Sequence, residues 1–264
     1  MKLKNASVLL LFIAFAIRSQ AGVLVVNGIY QGKDVYIQNP FVSDAVGFCV
    51  YEVTVNGKVT TDEVNSSAFA IDLNQLELQI GQEIEIKIMH KDNCLPKVLN
   101  PEVLKPLSSF EVLQIKVDNE GMLAWTTKGE AGKLPYIIEQ FRWNKWVKIG
   151  ELEGVGTPGE HEYKFKVTPH SSENEVRIKQ LDYTNKPRYS ESQKFTKQNM
   201  SKIKYDFKKS TNLLTFSSST MYEIFDQYGN LKKKGFDIKI DVGDLEKGVY
   251  YLNYDNSFGE TFRK

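Results

Sequence analysis

The sequence predicts an all-β protein made of tandem β-sandwich domains and closed by a smaller C-terminal β-sandwich. Three observations lead there. Short runs of Val, Ile, Tyr, Phe and Thr recur between Gly, Asn, Asp and Pro, the composition of strands and tight turns. No long stretch places apolar residues at helical spacing, which argues against a mixed α/β architecture. The strand runs are short and closely punctuated, as in small sandwiches.

Residues 1–21 read as a signal peptide: Lys2 and Lys4 precede an apolar run from Ala6 to Ile17, and Ser19 and Ala21 put small residues where a signal peptidase inspects. The run is short of the about 20 apolar residues that span a bilayer, so cleavage after Ala21 is expected rather than anchoring. No later segment is long and apolar enough to span.

The first module covers residues 22–106. Val23–Val26 and Val35–Ile37 are expected strands, followed by Val50–Val55, and Asn56–Gly57 is a strong hairpin-turn signal. Phe69–Leu73 is a further strand. In Ile84–Ile88, Ile84, Ile86 and Ile88 share one face while Glu85 and Lys87 face water. This spacing suggests a small immunoglobulin-like sandwich. Cys49 and Cys94 are the only thiols. An even pair in an exported chain favours a disulfide within this module; two separately buried thiols are the alternative.

The second module covers residues 107–197. Phe110–Val117 opens it, Asp118–Gly121 turns, and Met122–Trp125 buries Leu123 and Trp125. Tyr136–Trp143 and Trp146–Ile149 form a hairpin through Asn144 and Lys145, and Tyr163–Val167 and Asn174–Tyr183 supply later strands. Over nearly its full length this stretch resembles a fibronectin type III domain, a fold specific to no one function. Phe141, Trp143 and Trp146 form a candidate binding surface for a sugar ring or a partner's apolar patch. By alternation Phe141 and Trp143 share one face; the alternative role for these rings is the inter-sheet core. The linker after Phe195 is polar, so few contacts are expected across it.

The third module covers residues 200–264. A strand enters a D-x-x-G turn at Asp226–Gly229, a basic strand follows, and Asp244, Leu245, Gly248, Tyr250 and Leu252 complete a D-L-x-x-G-x-Y-x-L pattern before a last strand ending at Lys264. This resembles the C-terminal sorting domain of the bacterial type IX secretion system. Where that family usually carries Tyr-Pro-Asn-Pro, this chain reads Ile203–Lys209 without proline. The resemblance implies export through the outer membrane to the cell surface or medium, with the type IX translocon and shuttle proteins as partners. Retention in the periplasm or outer membrane, as a component of the secretion or gliding apparatus, is the alternative.

Composition narrows the function further. Removing residues 1–21 takes away Lys2, Lys4 and Arg18 and no acid, moving the formal charge from +1 to −2. Near-neutrality argues against nucleic acid as a partner. The basic groups Lys202/Lys204/Lys208/Lys209 and Lys232–Lys234 read as solvated strand and turn faces. No catalytic site, metal site or cofactor is expected. His90, His161 and His170 are expected in surface loops, without a partner at metal-ligand spacing. The acidic pairs Asp62/Glu63, Asp241/Asp244 and Glu151/Glu153, and the Gly-rich Gly154–Gly159, fit turns better than chemistry. The reading is a non-enzymatic exported protein, with surface polysaccharide or another surface protein as a further partner if the aromatic face binds.

Overall fold

Strict alternation in Ile84–Ile88 becomes a half-buried strand: the three isoleucines are buried, and Lys87 meets Glu85 on the outer face at 2.7 Å. The computed structural model describes residues 22–42 and 46–264; the expected signal segment, residues 1–21, lies outside the described residues. The chain divides into two compact units. The first holds the described residues through Gly28, with Gly32–Leu78 and Ile84–Val103; the second holds Ile29–Gln31, Gln79–Glu83 and Leu104–Lys264.

The first unit contributes β1 (Gly22–Ile29), β2 (Val35–Gln38), β3 (Val50–Val55), β4 (Lys58–Val59), β5 (Ala68–Ile71), β6 (Glu83–His90) and β7 (Lys97–Val98). They form sheets ordered β1-β6-β3-β4 and β5-β2-β7. Val35, Ile37, Ile71, Leu73, Ile86 and Ile88 are fully buried. Asn56 and Gly57 take positive φ, 50° and 80°, in the β3–β4 turn. The expected strand Phe69–Leu73 ends early, at Ile71: Asp72 accepts from the Asn74 backbone N–H, and Leu73–Leu76 closes into a 3₁₀ turn. The buried Asn39 amide satisfies three backbone groups, donating to Val64 and Ser66 and accepting from Val50. Cys49 and Cys94 are disulfide-bonded, with Cα atoms 5.9 Å apart.

In the second unit, β8 (Glu111–Val117), β9 (Met122–Lys128), β10 (Pro135–Arg142), β11 (Lys145–Glu153), β12 (His161–Lys166), β13 (Asn174–Leu181), β14 (Pro187–Tyr189) and β15 (Gln193–Phe195) build one sandwich. Its sheets run β12-β9-β8 and β11-β10-β13-β14, with β15 also on β13. Phe110, Leu123, Trp125, Tyr136, Ile138 and Ile178 anchor its core. Trp125 stacks on Tyr163 at 5.3 Å and meets Tyr136 edge-on at 5.9 Å. Buried Glu130 accepts from Thr127, Tyr136, Tyr163 and the Gly156 N–H at 2.6–2.9 Å. Burial alone would raise its pKa; these four donors outweigh that and hold it below the usual carboxylate range.

A second sandwich in the same unit comprises β16 (Tyr205–Lys208), β17 (Leu213–Phe225), β18 (Leu231–Asp241), β19 (Val249–Tyr254) and β20 (Ser257–Arg263). The order is β16-β17-β19-β20, with β18 on β17. Ile203, Leu214, Phe216, Ile224, Tyr250, Leu252 and Phe262 form a separate core.

The expectation of few contacts across the polar linker fails. Arg142, at the end of β10, is 1% exposed and reaches into the last sandwich. Its guanidinium donates to Gln140 Oε1 at 2.6 Å, Thr168 O at 2.8 Å and Asp255 O at 3.1 Å. Asp255, fully buried, accepts from the Ser171 N–H at 2.9 Å and from the Ser171 hydroxyl. Its own N–H donates to Thr220 Oγ1 at 3.0 Å. Nearby, Lys145 pairs with Glu223 at 2.7 Å. A buried cation needs all its donors satisfied, and here acceptors from both sandwiches share the task. Burial lowers the Arg142 pKa to about 10, against the opposing charge of Asp255. The linker is polar; the surfaces it joins are locked.

Candidate functional site

The C-terminal pattern residues separate into frame and rim. Asp226 caps the β17–β18 turn: Oδ1 accepts from the Tyr228 and Asn230 N–H groups at 2.9 Å, and Oδ2 from Asn230 Nδ2 at 3.0 Å. Asn230, then Lys232, hold its carboxyl below the usual range. Gly229 sits at φ 81°, the left-handed conformation that closes this turn and that a side chain would disfavour. Asp244 takes Lys233 at 2.8 Å, which likewise lowers its pKa. Lys264 N donates to Gly248 O at 3.0 Å, and its ammonium donates to Gly243 O at 2.5 Å and to Leu245 O, strapping the chain end beneath the Asp244–Gly248 loop. Tyr250 is buried with its hydroxyl donating to Glu246 O, and Leu252 is pure core.

Two loops distant in sequence thus meet. Asp226, Tyr228 and Lys232 from one, and Asp244, Gly248 and Tyr250 from the other, line a cleft of about 300 Å³. Tyr228, 80% exposed, projects at this end of the sandwich. The motif reads as hydrogen-bonding structure inside and a presented surface outside.

The aromatic trio is not one surface. Phe141 and Trp146 face each other across β10 and β11 with ring centroids 5.4 Å apart. Trp143 does not share their face: it and Asn144, at φ 54° and 60°, form the hairpin turn expected at Asn144–Lys145. That turn rotates the indole inward, leaving it 7% exposed. What completes the exposed face lies on β13 and β14, which spacing could not reveal. The Arg177 guanidinium lies 4.0 Å from the Trp146 ring centroid and 4.1 Å from that of Tyr189. Glu139, buried beneath, pairs with Arg177 at 2.7 Å and Lys179 at 3.2 Å. Arg177 covers one face of Trp146, while Phe141 and Tyr189 remain 37% and 44% exposed.

The histidines also depart from expectation. His170 is 2% exposed rather than in a surface loop, beside Arg142 and Asp255. Burial first, then the Arg142 cation, lower its pKa to about 4. His90 ends β6 with Nδ1 at 2.9 Å from Lys91 O, and its imidazole lies by Cys49 and Cys94, a grouping hidden by their spacing. The disulfide engages both sulfurs there. His161 contacts Thr157 through Nε2 at 2.9 Å.

The sheet orders and separate cores define an all-β protein of tandem sandwiches of fibronectin III and immunoglobulin-like type. No protein-family model and no curated protein matches the sequence. Among solved structures it is similar to a tetra-tandem repeat in the extending region of a large adhesion protein, at 11% identity over 92% of this chain and 72% of that one, TM-score 0.32. It is similar also to the FN1–FN3 domains of chicken CNTN1, at 10% identity over 92% of this chain and 96% of that one, TM-score 0.26. A third likeness is to the BSP domain of a biofilm associated protein, at 10% identity over 91% of this chain and 62% of that one, TM-score 0.24.

Proposed function

We propose that this chain is a non-enzymatic exported β-sandwich protein of the cell surface or medium, whose C-terminal sandwich engages the type IX translocon and shuttle proteins. The observation that carries the reading is convergence. Asp226, Asp244, Gly248 and Tyr250 line one cleft, with Gly229 shaping one rim and Lys264 strapped behind the other. A receptor can read a dispersed pattern only where folding presents it on one surface. The test is to delete Asp244–Lys264 from the full chain and follow it by cell fractionation. Accumulation in the periplasm supports the reading; wild-type delivery to the surface or medium overturns it. Because the deletion removes β19 and β20, a second variant, Tyr228→Ala with Lys247→Glu, alters only exposed residues lining the cleft and should also slow export.

A second reading, retention of the C-terminal sandwich in an apparatus component, is favoured by the Arg142–Asp255 junction. Proteolytic loss of the last sandwich would strip a buried cation of one acceptor, so the mature chain is expected to keep Lys264. Intact mass of the surface and periplasmic fractions distinguishes the two. The aromatic face keeps polysaccharide or surface-protein recognition as a further reading, tested by Phe141→Ala and Trp146→Ala in glycan and cell-surface binding assays.

A further inference from the structure

A cleft of about 520 Å³ opens where β11 and β12 meet β17 and β18. Its walls are apolar and mostly aromatic: Trp143, Ile149, Phe165, Met221, Tyr222 and Phe236. The shape is built in. Gly150 lets the Phe165 ring lie against β11, since a Cβ there would sit 2.2 Å from it. Trp143 is held in a left-handed turn conformation, unusual for a bulky residue, and its buried Nε1 has no hydrogen-bond partner among the described residues. The turn accounts for the backbone conformation, but the buried indole donor calls for an acceptor that a bound ligand would supply.

The charge lining this cleft is mostly positive. Lys148, Lys166 and Lys234 line it, against Glu223 as the one acid. Glu223 is already neutralised by Lys145 at 2.7 Å and accepts from Asn253 as well. Lys148 pairs with Glu151, and Lys166 donates to Glu120 O at 2.6 Å. Lys234 lies opposite Glu223 in the β17–β18 register, and its ammonium has no hydrogen bond or ion pair among the described residues. An apolar body plus one anionic group therefore fits better than a neutral or cationic ligand; volume and lining match those of small-molecule sites, which run about 300–1,000 Å³.

We propose that this cleft binds a small amphipathic anion, a flat apolar body carrying one acidic group, with the body against Phe165, Phe236 and the Trp143 wall and the acid at Lys234. The inference does not depend on the export reading. The test uses the folded full chain with a matched pair of fluorescent probes: anilinonaphthalene sulfonate and phenylnaphthylamine, the same ring body without the sulfonate. The sulfonate should bind saturably, one per chain, and the neutral probe about tenfold more weakly. Lys234→Glu should weaken the sulfonate about tenfold and leave the neutral probe unchanged, while Phe236→Asp should abolish both. Unaltered near-UV circular dichroism excludes misfolding as the cause. Phe236 is 54% exposed and Lys234 is also exposed, so both variants should fold. Equal affinity for the two probes, no saturable binding, or binding indifferent to both substitutions would overturn the proposal.

Discussion

Replacing Arg142 with methionine asks whether the last two sandwiches form one cooperative body. Methionine keeps most of the apolar stem and removes the guanidinium, so the perturbation falls on the three hydrogen bonds to Gln140, Thr168 and Asp255. Each charged hydrogen bond contributes on the order of 1.5–3 kcal/mol, and the three are not additive because they share one cation. The substitution leaves three buried acceptors unpaired, each costing about 1–3 kcal/mol and not additively, so the expected destabilisation is about 3–5 kcal/mol. With a urea dependence near 2 kcal/mol/M, the midpoint should fall by roughly 2 M. The assay is urea denaturation of the full chain followed by tryptophan emission, with limited proteolysis to locate the segment that opens first. The variant should release the last sandwich in a separate, earlier transition. A loss below about 1 kcal/mol, with the wild-type transition shape intact, would refute the reasoning.

Trp125→Ala should cost about 3–5 kcal/mol, because Trp125 is 2% exposed and its removal leaves the Tyr136 and Tyr163 rings facing a cavity; chemical denaturation measures it. The Cys49–Cys94 bridge, spanning 45 residues, should contribute roughly 4 kcal/mol, so Cys49→Ser with Cys94→Ser should lower stability by that order, and alkylation without reduction should label neither thiol of the wild type. His170 stays neutral in the fold down to about pH 4, while the unfolded chain protonates it near pH 6.5. The unfolded state thus binds the extra proton between those values, and stability is lost as pH falls from 6.5 to 4, by about 3 kcal/mol. His170→Gln should remove that part of the pH dependence; parallel curves for wild type and variant across the window would contradict it.

Strand patterns were legible wherever one face of a strand meets a core. Ile84, Ile86 and Ile88, and Leu123 and Trp125, come directly from period-two burial. The Cys49–Cys94 pair was legible from its even count together with the expectation of export. What pattern could not supply was partnership between distant positions. Trp143 alternates correctly with Phe141 in sequence, but two positive φ values at the turn cancel the alternation. By alternation Arg142 reads only as facing away from Phe141; its burial depends on acceptors at Thr168 and on Asp255, 113 residues away. Arg177 reaches Tyr189 on the adjacent β14 and Trp146 on β11, one strand beyond β10, only because the sheet order puts β13 between them. Local signals encode which residues face inward, and tertiary pairing decides which of them meet.

The junction also determines how the export claim should be tested, since residues 200–264 share a buried network with the sandwich before them. The most direct measurement fuses residues 104–264, the larger part of the second compact unit, to an unrelated periplasmic reporter in a bacterium with type IX secretion, beside the same fusion lacking Asp244–Lys264. Surface protease accessibility and reporter in the medium are then scored for both. The account predicts that the complete fusion leaves the periplasm and the truncated one remains there. A complete fusion that stays periplasmic, or a truncated one that exits equally well, would contradict it.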